Sequence, residues 1–445
     1  MSRYTKEDIM RIVEEEDVAF IRLGFADIFG QQKNIAVTSS QLDRVLNNEI
    51  TFDGCALEGL INNEDDLFLY PDLQTFNIYP WRPQSGKVAR MFCNVYTRDQ
   101  KPYEGDPRGV LQRVVAGAQQ ENLNIVVNPE LEFFLFDLDE QGKATNHTGE
   151  EAGYFDVAPA DQGENVRRDI ILNLEEMNFD ITSSYHEKAP AQHEIHFSSE
   201  PAVRCADMIM TFRMAAKTIA KRHGLYASFL PKPLEGEYGS GLHMNFMFLD
   251  ALGKNLLYDP EDPMQLSEMG YSFISGILEH AKGMTLLTNP IVNSYKRLVP
   301  GYDAPVNIGW AGTCGSRSVL IRIPSIRGSR TRIELRSPDA ACNPYLVMAV
   351  AIAAGMDGIK RGLKAVPELT EDKIIRDRDP LTTNTDQLIP QTMGDAILAF
   401  AQDDFIRGVL GDGIYEKYLT AKKREWEAFR TRITQWEIDE YLNRY

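Results

Sequence analysis

The segment Asn128-Pro-Glu-Leu-Glu-Phe-Phe sets Glu130 and Glu132 two residues apart. Alternate side chains of a strand share a face, so both carboxylates point one way, and Leu131 and Phe133 the other. Paired carboxylates repel. Burying them costs free energy or raises their pKa values, a difficulty that a bound divalent cation removes. Taken alone, the pair is better read as a solvated strand face. The pattern recurs, however. In Tyr185-His-Glu-Lys-Ala-Pro-Ala-Gln-His-Glu-Ile-His-Phe, Glu187 is followed by Gln192, Glu194 and His196 alternating with His193, Ile195 and Phe197. His193 and His196 are expected in the core or behind the ligands. Gly239-Ser-Gly-Leu-His243-Met-Asn245 leads from a glycine turn into another strand. Arg330, Arg332, Glu334 and Arg336 are expected along one strand face, a surface suited to a bound anion.

Five glutamates (Glu130, Glu132, Glu187, Glu194, Glu334) and His243 suggest two hard cations, Mg²⁺ or Mn²⁺, in oxygen-rich shells. Two metals beside arginines suit phosphoryl transfer from a nucleotide. Neither a G-x-x-x-x-G-K-[ST] loop nor a G-x-G-x-x-G fingerprint is present, so another architecture must hold the nucleotide. Spacing alone reaches metal-dependent phosphoryl transfer on an acidic substrate.

These side chains need a framework. The 445 residues suffice for more than one domain, and 43% hydrophobic with 25% charged content is that of an ordinary globular protein. The formal net charge of −18 disfavours nucleic acid and anionic lipid as partners and requires local cations wherever an anion binds. The apolar stretch from Tyr345 to Met356 is too short to span a membrane, and the polar N-terminus carries no export signal, so a cytoplasmic protein is expected. Five scattered cysteines (Cys55, Cys93, Cys205, Cys314, Cys342) read as reduced thiols, mostly buried. Residues 1–105 read as a small mixed domain, with a helix from Thr5 to Glu16 and strands over Phe20–Phe25, Asn34–Val37 and Val88–Tyr96. Residues 106–445 alternate helices (Arg108–Glu121, Val166–Asn178, Met208–His223, Pro344–Ile359) with strands such as Asn124–Asp137, and close in a charged helical segment from Gly413. The fold class is α+β with a largely antiparallel sheet.

Asn128–Phe134, His186–Glu194, Pro231-Lys-Pro with Gly239–His243, Asn293-Ser-Tyr-Lys-Arg-Leu-Val-Pro-Gly, Thr331-Arg-Ile-Glu-Leu-Arg336 and Asn343-Pro-Tyr-Leu occur in the order found in type I glutamine synthetase. The chain resembles that bacterial family along nearly its whole length. The resemblance implies an N-terminal β-grasp domain and a larger catalytic domain on a mainly antiparallel curved sheet flanked by helices. It implies a dodecamer of two hexameric rings with active sites between subunits. The substrates would be glutamate, ammonium and ATP. Glu132, Glu187 and Glu194 would hold one metal; Glu130, His243 and Glu334 would hold the other. Gly239, Arg297, Arg317 and Arg336 would bind glutamate or the transferring phosphoryl group. Asn245, Arg322 and Arg332 would face the nucleotide. Asp53 would reach the next subunit's site and help deprotonate ammonium, and Tyr154 would line the ammonium pocket.

The chain also departs from the family pattern. The flap glutamate is Asp303. The asparagine before Gly-Ser-Gly is Tyr238. An Asp-Gly-Ser-Ser run is Asp53-Gly-Cys55-Ala56, and Asn-Arg-Ser is Ser316-Arg317-Ser318. No adenylylation segment lies between Pro367 and Pro390, which resembles the α subgroup with its nitrogen-regulator partners. Asn62 stands where that subgroup has its feedback arginine, so weak glutamine inhibition is expected. The alternatives are a γ-glutamyl amide ligase for another amine and a catalytically weak nitrogen sensor. Retained Asp53 favours ammonium.

Overall fold

The computed structural model describes residues 4–60, 66–312, 317–375 and 385–445. Asn62, Cys314 and Ser316 lie outside the described residues. The chain opens with the helix Lys6–Glu15, whose Thr5 and Asp8 close a reciprocal capping box, while Ile9 and Val13 are buried. Six strands follow: β1 (Val18–Ala26), β2 (Gln32–Thr38), β3 (Ile50–Phe52), β4 (Leu67–Pro71), β5 (Asn77–Ile78) and β6 (Lys87–Tyr96). They form one sheet in the order β2-β1-β6-β4-β3, with β5 added to β6 and β1 and β6 parallel. Ile21, Leu23, Met91 and Cys93 pack its core.

The second sheet has nine strands: β7 (Asn124–Asp137), β8 (Ile181–His186), β9 (Gln192–Phe197), β10 (Glu200–Pro201), β11 (Leu225–Ser228), β12 (Leu242–Leu249), β13 (Asn307–Ala311), β14 (Val319–Arg322) and β15 (Ile333–Leu335). Its order is β13-β14-β15-β12-β7-β9-β8, with β10 and β11 pairing β7. Among the described residues of this sheet, only β13 and β14 pair in parallel. One face is dry: Leu131, Phe133, Ile195, Leu242, Met244 and Ile333 are buried in a single apolar core with the helices Ala202–Arg222 and Pro344–Arg361. That apolar face fixes the register, because a one-residue slip would exchange every core side chain for a polar one. The opposite face is thereby committed to the glutamates.

The helix Pro344–Arg361 starts as its Asn-Pro signal predicts. Asn343 Oδ1 accepts from Tyr345 N at 3.1 Å, and its amide donates to the Asp27 and Ile28 carbonyls of the first domain. Gly30 (φ +75°) makes this approach possible, since a Cβ there would stand 2.9 Å from Asn343 Cα. A second tie is polar: buried Arg108 meets Asp207 at 2.9 Å and Asp72 at 2.7 Å.

Two expectations change. The last segment is two helices, Asp412–Arg430 and Gln435–Tyr441, because Thr434 starts a new capping box. Arg330 does not share a strand face with Glu334. Gly328–Arg330 is a short 3₁₀ turn, the strand spans only Ile333–Leu335, and Arg330 is exposed. Gly328, at φ +74°, breaks the extended run that the Arg-x-Arg-x-Glu-x-Arg pattern suggested. Among the described residues, no helix is long and apolar enough to cross a membrane.

Candidate active site

Register brings the polar residues into rows. Across β9, β7 and β12, His196 faces Glu130, which faces His243. One step along, Glu194 faces Glu132. Across β12, β15 and β14, Asn245 faces Glu334, which faces Arg322. Cross-strand partners share a face, so Glu130, Glu132, Glu194, His196, His243 and Arg322 line one cavity of about 230 Å³, with Asn245 and Glu334 buried behind its wall.

On one side of this cavity the carboxylates meet cations. Glu130 Oε2 lies 3.3 Å from His243 Nδ1, and Glu130 Oε1 accepts from Asn245 Nδ2 at 3.0 Å. Burial opposes ionisation of Glu130, but the hydrogen bond and charge of His243 outweigh it and hold its pKa well below the carboxylate range. Glu334 is fully buried between Arg322, at 3.0 Å, and Arg336. Arg332 Nε donates to Asn245 Oδ1 at 3.0 Å.

On the other side the carboxylates meet one another. Glu132 Oε2 accepts from Gly241 N at 2.9 Å and from Gln192 Nε2 at 3.1 Å. Glu187 and Glu194 are within hydrogen-bonding contact. Burial, then Glu132 and Glu194, push Glu187 up to about 9. Burial, then Glu132 and Glu130, push Glu194 up to about 8. His196, 2.7 Å from Glu194, gives little relief, because burial lowers its own pKa and favours the neutral ring.

Glu130, His243 and Glu334 each offer a ligand atom within 4.8 Å of the others, and so do Glu132, Glu194 and His243. The donor set is oxygen-rich, with one imidazole, and its acidic half is less compensated: His243 Nε2 lies 3.9 Å from Glu132, yet the pKa values of Glu187 and Glu194 stay raised. Both features fit hard divalent cations.

The predicted arginines arrive by different routes. Arg297 is buried against Gly239. Its guanidinium donates to the Ser337 and Arg336 carbonyls, and burial lowers its pKa. Gly239 leaves no room for a side chain, since a Cβ would lie 2.4 Å from Pro231 O. Arg336 Nε donates to Arg317 O at 3.1 Å, and Arg317 Nη1 reaches Asp303 Oδ2 at 4.0 Å. Burial opposes protonation of Arg317, but Tyr154 and then Asp303 outweigh it and raise its pKa. Tyr154, Asp303, Arg297, Arg317, Arg322, Arg332 and Arg336 all line the cavity.

Three predicted residues do not. Glu334 is buried behind the wall against Arg322 and Arg336. Asn245 is fully buried behind the wall, bridging Arg332 to Glu130. Asp53 is exposed in the first domain, its carboxylate capping Cys55 N at 2.8 Å, outside this chain's own cavity. Lys188 and Tyr185 line the cavity without having been assigned a role. Their signal was position: they flank His186-Glu187 in a segment already marked as ligand-bearing. Gln192, recognised only as part of a polar face, fixes Glu132. A larger cavity of about 830 Å³ between the domains bears Arg22, Arg90, Arg213, Lys217 and Lys422 and none of the carboxylates.

Comparison with known proteins agrees with this geometry. Residues 17–98 match the family model for the glutamine synthetase β-grasp domain, and residues 104–441 the model for the glutamine synthetase catalytic domain. The chain is 48% identical to a glutamine synthetase of Clostridium saccharobutylicum over 100% of both chains. It is 47% identical to one of Staphylococcus aureus (strain Mu50) over 99% of both. Among solved structures, GmaS in complex with ADP superposes with a TM-score of 0.86 at 29% identity, covering 98% of this chain and 99% of that one. Plasmodium falciparum glutamine synthetase shares the fold, with a TM-score of 0.87 at 24% identity over 99% of each chain. The chain belongs to the glutamine synthetase family, the ATP- and divalent-metal-dependent ligases that make glutamine from glutamate and ammonia.

Proposed function

We propose that this cavity binds glutamate and the phosphates of ATP over two divalent cations, Mg²⁺ or Mn²⁺. Glu132, Glu187 and Glu194 would hold one ion, and Glu130, His243 and Glu334 the other. The ions would supply charge neutralisation along the nucleotide phosphates and the transferring phosphoryl group. The observation that carries this reading is the convergence of Glu130, Glu132, Glu187, Glu194 and His243 with five arginines around one cavity, with Glu334 behind it within reach of Glu130 and His243. The domain boundary falls near residue 105.

A carboxylate oxygen is a poor leaving group, so glutamate must first be activated. Arg297, held by two backbone carbonyls and packed against Gly239, where Pro231 and Arg297 themselves fill the space of a side chain, would orient the substrate. The γ-carboxylate oxygen attacks the terminal phosphorus and ADP departs, leaving γ-glutamyl phosphate. Arg336, Arg317, Arg322 and Arg332 face the charge that spreads over the transferring oxygens. Asn245 positions Arg332 against the nucleotide instead of touching it. Ammonia then attacks the γ-carbon and phosphate leaves. Only neutral ammonia is a nucleophile, so ammonium must lose a proton first. Tyr154 would line that pocket, and Asp303 would close over it. The exposed position of Asp53, away from its own chain's cavity, supports delivery to a neighbouring subunit's site, where it would take the proton.

The same position supports a ring assembly, the family's dodecamer of two hexamers. Exposed Ile433, Trp436 and Leu442 near the C-terminus offer apolar surface for contact between subunits. Scattered free cysteines, three of them buried, suit a cytoplasmic enzyme. Nitrogen-regulator proteins remain the expected partners, with weak glutamine feedback from Asn62. A coupled assay of ADP release, with glutamate, Mg²⁺ or Mn²⁺ and a panel of amines, tests the reading. Turnover should require glutamate and be fastest with ammonium. Equal or better turnover with a larger amine, or nucleotide binding without ADP release, would refute it.

A further inference from the structure

The acceptor end of the cavity already holds a cation. Lys188 Nζ pairs with the Asp303 carboxylate, lies 4.7 Å from the centre of the Tyr238 ring and 5.8 Å from that of Tyr154. A carboxylate and two aromatic faces around one ammonium group form a cation-recognition box. Two further observations suggest that this contact does more than fill space. Gly301, Tyr302 and Asp303 all have left-handed backbone, with φ of +93°, +52° and +53°. Two consecutive non-glycine residues in that region are disfavoured and persist only where surrounding contacts hold them. The contacts here include the Lys188–Asp303 pair, Arg317 Nη1 4.0 Å from Asp303, the edge-to-face packing of Tyr302 on Tyr238 at 5.6 Å, and Lys232 Nζ 4.2 Å from the centre of the Tyr302 ring. The Lys188 backbone is fixed beside the ligand carboxylates, because its N–H donates to Glu187 Oε2 at 3.0 Å.

We propose that Lys188 is a tethered stand-in for the acceptor ammonium: it occupies the amine subsite between Asp303, Tyr154 and Tyr238, latches the 301–303 turn over the cavity, and must withdraw before ammonium binds. This rests on the assignment of Tyr154 and Asp303 to the amine end. Lys188 is then a specificity-determining residue. Its charge competes with ammonium for the same faces, so it raises the ammonium KM without touching the glutamate or nucleotide ends. A larger organic amine would have to displace both the lysine and the turn, which favours the smallest acceptor.

The test uses the full-length protein with Lys188→Met, which keeps chain length and removes charge, and Lys188→Arg, which keeps charge. At saturating glutamate, ATP and Mg²⁺, the ammonium KM of Lys188→Met should fall about fivefold or more, and by more than any change in kcat. The KM for glutamate should stay within about twofold, and Lys188→Arg should retain the high ammonium KM. An ammonium KM that is unchanged or raised in Lys188→Met would overturn the proposal, as would equal effects of the two variants. A second readout needs no turnover. Hydrogen exchange of residues 299–305 should be roughly tenfold faster in substrate-free Lys188→Met, and ammonium chloride, but not sodium chloride, should slow it again. Equal exchange in the two proteins would overturn the latch. If the unmodified protein makes no glutamine from ammonium, the assigned chemistry fails, while loop exchange still decides whether Lys188 holds the turn.

Discussion

Glu130 and Glu334 lie beside His243, Arg322, Arg332 and Arg336, whereas Glu194, on the same sheet face, and Glu187, just past the end of β8, meet chiefly other carboxylates. The first group is compensated by the chain itself, and burial there is offset by ion pairs. The second is compensated less: burial and mutual repulsion keep the Glu187 and Glu194 pKa values raised, an imbalance that a bound cation would relieve. The contrast separates side chains that stabilise the fold from side chains that cost stability for the sake of a ligand. It also predicts that similar substitutions will change stability with opposite sign in the two halves.

The largest effect should come from Glu194→Gln or Glu187→Gln. Each should lower kcat/KM by roughly 10²–10³-fold, the scale of removing one preorganised charge-stabilising group. In the metal-free protein, however, each should raise the melting temperature, because a buried repulsion has been removed. Glu334→Gln should also impair turnover, but here the melting temperature should fall. It leaves the buried Arg336 guanidinium without its anion, and breaking a buried pair costs about 3–5 kcal/mol. Calorimetry in a chelator checks both signs. Destabilisation by Glu194→Gln comparable to that by Glu334→Gln would abolish the distinction.

Proton linkage gives the next test. Glu187 and Glu194 have folded-state pKa values raised to about 9 and about 8 from ordinary values near 4.5. Between those limits the folded protein holds more protons than the unfolded chain, so the pair's contribution to stability falls as pH rises. Metal-free protein should therefore melt progressively lower from about pH 5 to pH 9. A divalent cation displaces those protons, so its apparent affinity should rise over the same interval. At a metal concentration of 100 Kd the stabilisation should be about 2.7 kcal/mol. Flat melting temperatures across that range in chelator would mean that the acidic half is compensated after all.

Much of the frame was legible because two periodicities coincide. A core that excludes water forces Leu131, Ile195, Met244 and Ile333 to one face, and the alternating glutamates and histidine must then share the other. Caps such as Thr5 and Asn343 were readable because each satisfies helix-end N–H groups within a few residues. Other features depend on distant contacts. The role of Lys188 comes from a turn more than a hundred residues away. Asn245 alternates correctly with its neighbours, yet it is buried because Glu130 and Arg332 both bond to it. The resemblance placed Asp53, whose solvent-exposed setting in one chain carries no catalytic signal of its own.

The smallest predicted effect concerns the arginine series. Alternation treats Arg330 and Arg332 alike, four and two residues before Glu334 and so on the same face of a strand. In the structure Gly328 starts a 3₁₀ turn, so Arg330 leaves the sheet and faces solvent, whereas Arg332 Nε is fixed by Asn245 at 3.0 Å and lines the cavity. Arg332→Ala should raise the ATP KM about tenfold or more, the scale of losing a charged hydrogen-bonding group of about 1.5–3 kcal/mol. Arg330→Ala should change kcat/KM by less than about twofold and stability by no more than about 0.5 kcal/mol, as for other surface substitutions. A comparable loss from both would restore the single arginine face that alternation implies and move the edge of the compensated half by one residue pair. A loss from Arg332→Ala alone would fix that edge at the first residue tied to the sheet through Asn245.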